Sequence, residues 1–100
     1  MSKRSVKLLL EDILEAIENI KDYTSEISFE GFLDSQKTKD AVVRNFEIIG
    51  EAATKLPKEF KENNSQIDWP GIIGFRNVLI HDYFGIDYHI VWTYQNRYSS

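Results

Sequence analysis

Apolar residues recur at steps of three and four along most of this 100-residue chain, and no run alternates as a β-strand would. The clearest run predicts an amphipathic helix over about residues 5–23, with charged side chains on its opposite face. Its apolar positions are Val6, Leu9, Leu10, Ile13, Ile17 and Ile20. A second long helix is predicted over about residues 35–56, where Pro57 ends it. Its apolar positions are Val42, Phe46, Ile49, Ala53 and Leu56.

The remaining segments also favour helices. Residues 24–34 are predicted to be a connector with about one helical turn near residues 29–32, and residues 57–63 a short helix. Asp68-Trp69-Pro70 marks the start of a further helix that stops near Gly85, and a last helix starts at about residue 87. We therefore expect an all-α, antiparallel four- to five-helix bundle that forms one domain over residues 1–100.

Composition limits the function classes. The chain has no cysteine, which excludes a disulfide framework and a thiolate metal site or nucleophile. Glu11 and Asp12 interrupt the first apolar run too early for a signal peptide or a membrane span, so we expect a cytoplasmic protein with no membrane partner. General nucleic-acid binders are usually basic, whereas this chain has a formal net charge of −4. Any contact with RNA must therefore be made at a local site.

Residues 76–83 read RNVLIHDY and combine groups suited to RNA cleavage. The Arg76 guanidinium is a permanent cation whose planar fork matches a phosphate group. Histidine is the side-chain type that most readily takes and gives a proton near neutral pH, which makes His81 a candidate general base or acid. Tyr83 adds a hydroxyl that can be modified. Spacing alone is weak support, because Arg and His often occur five residues apart by chance.

Helical geometry separates the two main groups of this motif. At roughly 100° per residue, Arg76 and His81 point about 140° apart on a regular helix. Two alternatives could bring them together: the helix loosens before Gly85, or a second copy of the chain completes the site. The second alternative suits a two-fold dimer, in which a pair of histidines could divide the acid and base roles.

Several segments of the chain resemble one known family. RNVLIHDY is similar to the Arg-polar-X-X-X-His motif of HEPN domains, with the Tyr two residues after the His that is typical of the HepT branch. Residues 44–53 resemble the second-helix signature of that family, and residues 67–74 and 84–87 resemble the flanks of its motif. The resemblance extends from about residue 10 to residue 92.

This resemblance implies a homodimeric, metal-independent endoribonuclease with its site at the dimer cleft and no cofactor. HepT proteins are toxins of HepT/MntA-type toxin–antitoxin pairs. The implied partner is a minimal, MntA-like nucleotidyltransferase antitoxin that adds AMP to Tyr83 and could form a larger hetero-oligomer with the toxin. The family's last helix usually continues for another turn or two, whereas here Val91-Trp92 is followed only by residues 93–100. This departure from the family pattern bears on the stability of the last helix and on partner contacts made there.

Each candidate site residue also has a structural interpretation. Arg76 would bind the scissile phosphate, or form a salt bridge to Asp82 or a neighbouring Glu. His81 would exchange protons, or act as a cation near the helix C-terminus, which is favourable by roughly 0.3–1 kcal/mol. Asn77 would orient His81 or a phosphate, or be solvated. Tyr83 would accept AMP, or be a half-buried aromatic at the helix end.

Other polar and aromatic residues favour structural roles. We interpret Arg44 as a surface or interhelical ion pair in preference to a second phosphate contact. Glu47 and Glu51 share a helix face, but the chain has no Glu-x-x-His pair as a di-iron bundle requires, so helix pairing or solvation is the preferred interpretation. Gly50, in mid-helix, costs about 1 kcal/mol relative to Ala and indicates close helix approach. We interpret Trp69 and Trp92 as core or interface positions and His89 as a surface residue of the last helix.

The competing function is a non-catalytic helical dimer that binds and serves a minimal nucleotidyltransferase.

Overall fold

The structure, a computed structural model, describes residues 4–82 and 85–99, with side chains through residue 96. Within these residues every regular element is a helix, which confirms the all-α prediction. The described residues form six helices: α1 (Val6–Thr24), α2 (Phe29–Asp34), α3 (Gln36–Lys55), α4 (Lys58–Asn63), α5 (Trp69–His81) and α6 (Tyr88–Ser99). The number exceeds the predicted four or five because the two short segments, α2 and α4, both form helices.

Polar side chains fix the starts of four helices. In each case a side-chain oxygen accepts a hydrogen bond from the backbone N–H three residues later, an interaction typically worth about 1 kcal/mol. The capping residues are Ser5 for α1, Ser28 for α2, Ser35 for α3 and Asp68 for α5. Pro70 lies in the first turn of α5, where its missing N–H costs nothing, so the predicted start of this helix is confirmed.

Helix α3 is the centre of the fold and packs mainly against α1 and α5. The main core joins residues from five helices: Ala16, Ile20, Phe32, Val42, Val43, Phe46, Ile49, Leu79 and Val91. The Phe75 ring lies edge-on to Phe46, at 5.2 Å between ring centroids, and stacks on Tyr94 at 4.2 Å. These contacts fix the rotation of α5 about its own axis, because Phe75 and Leu79 both face the core. The orientation of Arg76 and Asn77 follows from that rotation.

Helix α5 ends earlier than predicted. Its last residue is His81, and Asp82 leaves the helical conformation with φ −110° and ψ 40° while its N–H still donates to the Val78 carbonyl. Asp is a weak helix former because its side chain competes for backbone hydrogen bonds. The prediction of an end near Gly85 was therefore several residues too long. Within the described part of the chain, no helix has the length and apolar character needed to cross a membrane.

Candidate active site

The residues of the predicted motif lie on two different sides of α5. Leu79 is buried in the core, whereas Asn77 and His81 are exposed. Arg76 lies between these sides and is partly buried, on the flank of α5 that faces α3. The helix is regular through His81, so the loosening that would bring Arg76 and His81 together does not occur before the helix ends.

Arg76 is held by two hydrogen bonds. Its Nη2 donates to Glu51 Oε2 at 2.6 Å, and its Nη1 donates to Asn77 Oδ1 at 3.1 Å. The other Glu51 oxygen lies 3.3 Å from Lys55 Nζ. A salt bridge from Arg76 to a glutamate was the structural interpretation from sequence, and the partner is Glu51 on α3. Each Nη carries two hydrogens and these bonds use one on each, so the guanidinium can still donate to an anion while it stays paired with Glu51.

Gly50 makes the contact between α3 and Arg76 possible. A Cβ added at Gly50 would overlap the Arg76 Cβ and would lie 2.6 Å from its Cγ. The predicted role of this glycine, close helix approach, is therefore confirmed. The Arg76 Nε is buried and has no hydrogen-bond partner within residues 4–82 and 85–99. Arg76 is thus pressed against the α3 backbone along its stem, and only the end of its guanidinium reaches the surface.

A cleft of about 490 Å³ opens beside Arg76, between α1, α3 and α5. Its charged lining consists of four cationic side chains, Arg4, Arg44, Lys55 and Arg76, and three carboxylates, Asp12, Glu47 and Glu51. Its apolar lining is Leu9, Ile48, Ala52 and Ile80. On a chain of net charge −4, the cations of this cleft outnumber its carboxylates by one, although each of the four cations also has a carboxylate partner.

An exposed ion pair holds the α1 edge of this cleft. Arg4 Nε and Nη2 donate to the two carboxylate oxygens of Asp12 at 2.6 and 2.9 Å. This hydrogen bonding lowers the pKa of Asp12 below its ordinary value and raises that of Arg4. Both groups therefore stay charged at neutral pH, and the Arg4 charge is largely satisfied by its own partner. Sequence reasoning did not identify this pair.

His81 lies outside the lining of the Arg76 cleft. It is the last residue of α5 and lies at the end of an exposed stripe along one face of that helix. This stripe, called the α5 stripe below, consists of Gly74, Asn77, Val78 and His81. A Cβ added at Gly74 would meet nothing within 4 Å, and Val78 is 51% exposed. The predicted motif is therefore divided within one protomer: Arg76 in a cleft, and His81 on an open face.

The remaining candidates agree with their structural interpretations. Arg44 is exposed and lies 3.8 Å from Glu47. Trp69 is buried and donates from Nε1 to the Asn64 carbonyl, while Trp92 packs against the main core. His89 is exposed, with its ring against Phe29. No cluster of three or more potential metal-ligating side chains occurs in the part of the chain that the structure describes. Tyr83, the predicted modification site, lies outside the described residues.

The fold and the cleft define an all-α protein whose fifth helix carries an arginine, an asparagine and a histidine at the spacing of the HEPN motif. A family model described as "Ribonuclease HepT-like" matches residues 13–98. The chain belongs to this HepT-like ribonuclease family.

Several similar proteins are themselves named as ribonucleases. A protein of Thermococcus cleftensis named "Probable ribonuclease HepT" is 50% identical over 90 residues, which cover 90% of this chain and 82% of that protein. One from Methanocaldococcus jannaschii named "Putative RNase MJ0127" is 45% identical over 92 residues, or 92% of this chain and 76% of its own length. Another, "Putative RNase TTE0752" of Caldanaerobacter subterraneus, is 47% identical over 83 residues, or 83% of this chain and 74% of its own. No solved structure matches the chain significantly.

Proposed function

We propose that this chain is a metal-independent endoribonuclease and the toxin of a HepT/MntA-type toxin–antitoxin pair, acting in the cytoplasm as one domain over residues 1–100. The observation that carries the proposal is the placement of Arg76 at a charged cleft, in a chain whose family and named relatives are ribonucleases. An acidic chain of this size needs such a local anion site to engage RNA.

In the proposed reaction, the ribose 2′-OH attacks the adjacent phosphorus. His81 accepts the proton of that hydroxyl while the O2′–P bond forms and the P–O5′ bond breaks. The partner subunit's His81 gives a proton to the departing 5′ oxygen. Arg76 donates hydrogen bonds to the phosphate oxygens, whose charge grows in the phosphorane transition state. The products are a 2′,3′-cyclic phosphate and a 5′-hydroxyl end. Asn77 supports Arg76 by accepting a hydrogen bond from its Nη1.

The proposal includes a homodimer built on the α5 stripe. Within one protomer Arg76 and His81 lie on different sides of a regular helix, so a complete site needs a second copy. The stripe suits this role because Gly74 allows close approach and Val78 offers apolar surface. In a two-fold arrangement the same face meets itself, and both motif histidines come to one junction.

The proposal also assigns the off switch to Tyr83, two residues beyond His81. A minimal nucleotidyltransferase antitoxin would add AMP to its hydroxyl. The added group carries a phosphate anion that can occupy the place of the RNA phosphate beside Arg76, so inhibition would be both steric and electrostatic.

The competing proposal is a helical dimer without catalytic activity that presents Tyr83 to a nucleotidyltransferase. One observation favours it: the Arg76 guanidinium is already engaged by Glu51 in the isolated protomer. In that case Arg76 would be structural, and RNA cleavage would not depend on it.

The test is cleavage of total RNA and of synthetic RNA oligomers by purified protein in the presence of EDTA. We expect wild-type protein to cleave and His81→Ala and Arg76→Ala to lose cleavage. His89→Ala, which removes an exposed histidine on α6 away from the cleft, is the matched control and should cleave normally. Wild-type cleavage rates in His81→Ala or Arg76→Ala would support the non-catalytic alternative.

A further inference from the structure

We propose that Glu51 is a positioning residue for Arg76, and that it sets the orientation in which the guanidinium meets the scissile phosphate. This inference rests on the proposed ribonuclease function, in which Arg76 binds that phosphate. It concerns the residue on α3 that holds the guanidinium, which the sequence motif on α5 does not contain.

Three features fix the Arg76 side chain. Glu51 Oε2 accepts from Nη2 at 2.6 Å, and Asn77 Oδ1 accepts from Nη1 at 3.1 Å. The stem lies against the bare backbone of Gly50, and Nε is buried there. A planar guanidinium with one contact at each Nη and a packed stem has little freedom to rotate. Its outward edge is therefore presented to the cleft in one orientation.

Glu51 is itself held in place. Its second oxygen lies 3.3 Å from Lys55 Nζ, one turn later on α3, so the carboxylate bridges a cation on its own helix and a cation on α5. The carboxylate is 45% exposed and Lys55 58%, so these contacts act at the surface of the cleft, where ion pairs contribute little to folding. A stabilising role alone therefore gives a poor account of the arrangement.

Positioning by Glu51 and electrostatic repulsion by its charge have different effects on the kinetics, so the two can be distinguished. A carboxylate at a phosphate site repels RNA, so its removal should strengthen substrate binding by charge alone. If Glu51 positions Arg76, its removal should also misplace the guanidinium and slow the chemical step. Glu51→Ala should therefore give an unchanged or lower KM together with a kcat reduced roughly 10- to 100-fold, because small misplacements of a catalytic group have effects of this size.

Two further variants make the kinetic test specific. Glu51→Gln keeps an acceptor oxygen without the charge, so it should recover most of the lost kcat. Glu47→Ala removes a carboxylate from the same cleft but leaves the contact between Glu51 and Arg76 in place. It should shift KM in the same direction as Glu51→Ala without the fall in kcat. A kcat for Glu51→Ala equal to that of wild type would overturn the proposal.

A measurement independent of activity accompanies the kinetics. The Arg76 Nε–H is buried, so its ¹H–¹⁵N signal should be visible and slow to exchange with solvent, and the signal missing from Arg76→Lys identifies it. Glu51→Ala should accelerate that exchange, whereas Glu47→Ala should not. Unchanged exchange in Glu51→Ala would refute positioning even if wild-type protein cleaved no RNA. If Glu51→Ala accelerates the exchange but wild-type protein has no ribonuclease activity, the proposed function is refuted, whereas the conclusion that Glu51 orients Arg76 still holds.

Discussion

Gly50 and Arg76 touch across the interface of α3 and α5, so closely that a methyl group at position 50 would overlap the Arg76 Cβ. The obstructing atom is attached directly to the α5 backbone, so it cannot move aside as the end of a flexible side chain could. The path of α5, and with it the cleft beside Arg76, therefore depends on the absence of a side chain at this position.

We expect Gly50→Ala to destabilise the protein. Overpacking at a helix interface costs about 1–3 kcal/mol, which exceeds the roughly 1 kcal/mol that alanine gains in helix propensity. Urea unfolding measures the difference. Gly74→Ala is the matched control, because a Cβ there meets nothing within 4 Å in the protomer. Both glycine variants are measured in a Val78→Asp background, in which the α5 stripe is not buried between two copies, and Gly74→Ala should then stabilise the protomer by about 0.5–1 kcal/mol. Equal stabilisation by the two substitutions would contradict the packing described here.

Arg76→Lys should separate charge from geometry. Lysine keeps the positive charge but cannot donate from two coplanar nitrogens to a phosphate or to Glu51 and Asn77 together. We expect RNA binding, measured by fluorescence anisotropy, to weaken less than cleavage does, with kcat reduced at least tenfold on the scale of a lost transition-state donor. A lysine variant that cleaves at the wild-type rate would show that only the charge matters.

The fold was largely predictable from sequence because the signals for most of its helices are local in the sequence. The apolar period of α1 and α3, the Asp68-Pro70 start of α5 and the stop at Pro57 each depend on neighbouring residues alone. The predicted end of α5 was wrong because an apolar pattern does not show where the backbone stops being helical. In the structure this happens at Asp82, several residues before Gly85.

The site was predictable only in part. The motif identified Arg76, Asn77 and His81, but their partners come from distant parts of the chain. Glu51 lies 25 residues before Arg76, and no sequence spacing links the two. The one available signal was Gly50, whose position in mid-helix indicated close approach by another helix without indicating which residue approaches.

Val78→Asp should convert the protein to a monomer. Val78 is 51% exposed in the protomer, so the substitution should change folding stability by no more than about 0.5 kcal/mol. A charge at the centre of the α5 stripe should nevertheless prevent the stripe from meeting its own copy. Sedimentation should show a dimer for wild type at micromolar concentration and a monomer without cleavage activity for the variant. A wild-type protein that is fully active as a monomer would refute the shared site.

Co-expression with a cognate minimal nucleotidyltransferase should add AMP to the chain and silence it. Intact-mass and peptide analysis should place the adduct at Tyr83, and Tyr83→Phe should carry no adduct and escape inhibition. Tyr88, a partly buried tyrosine nearby in sequence, provides an internal comparison. An adduct at another position that silences Tyr83→Phe equally well would overturn the assignment.

The chemistry of the cut ends distinguishes attack by the ribose 2′-OH from attack by water. A synthetic RNA with one mapped cut site is compared with the same oligomer carrying a single 2′-deoxy sugar immediately 5′ of that site, both in EDTA. If the 2′-OH is the nucleophile, the RNA should yield a 2′,3′-cyclic phosphate and a 5′-hydroxyl, and the deoxy position should not be cut. Ends that carry a 3′-hydroxyl and a 5′-phosphate, or cleavage that persists at the deoxy sugar, would contradict it.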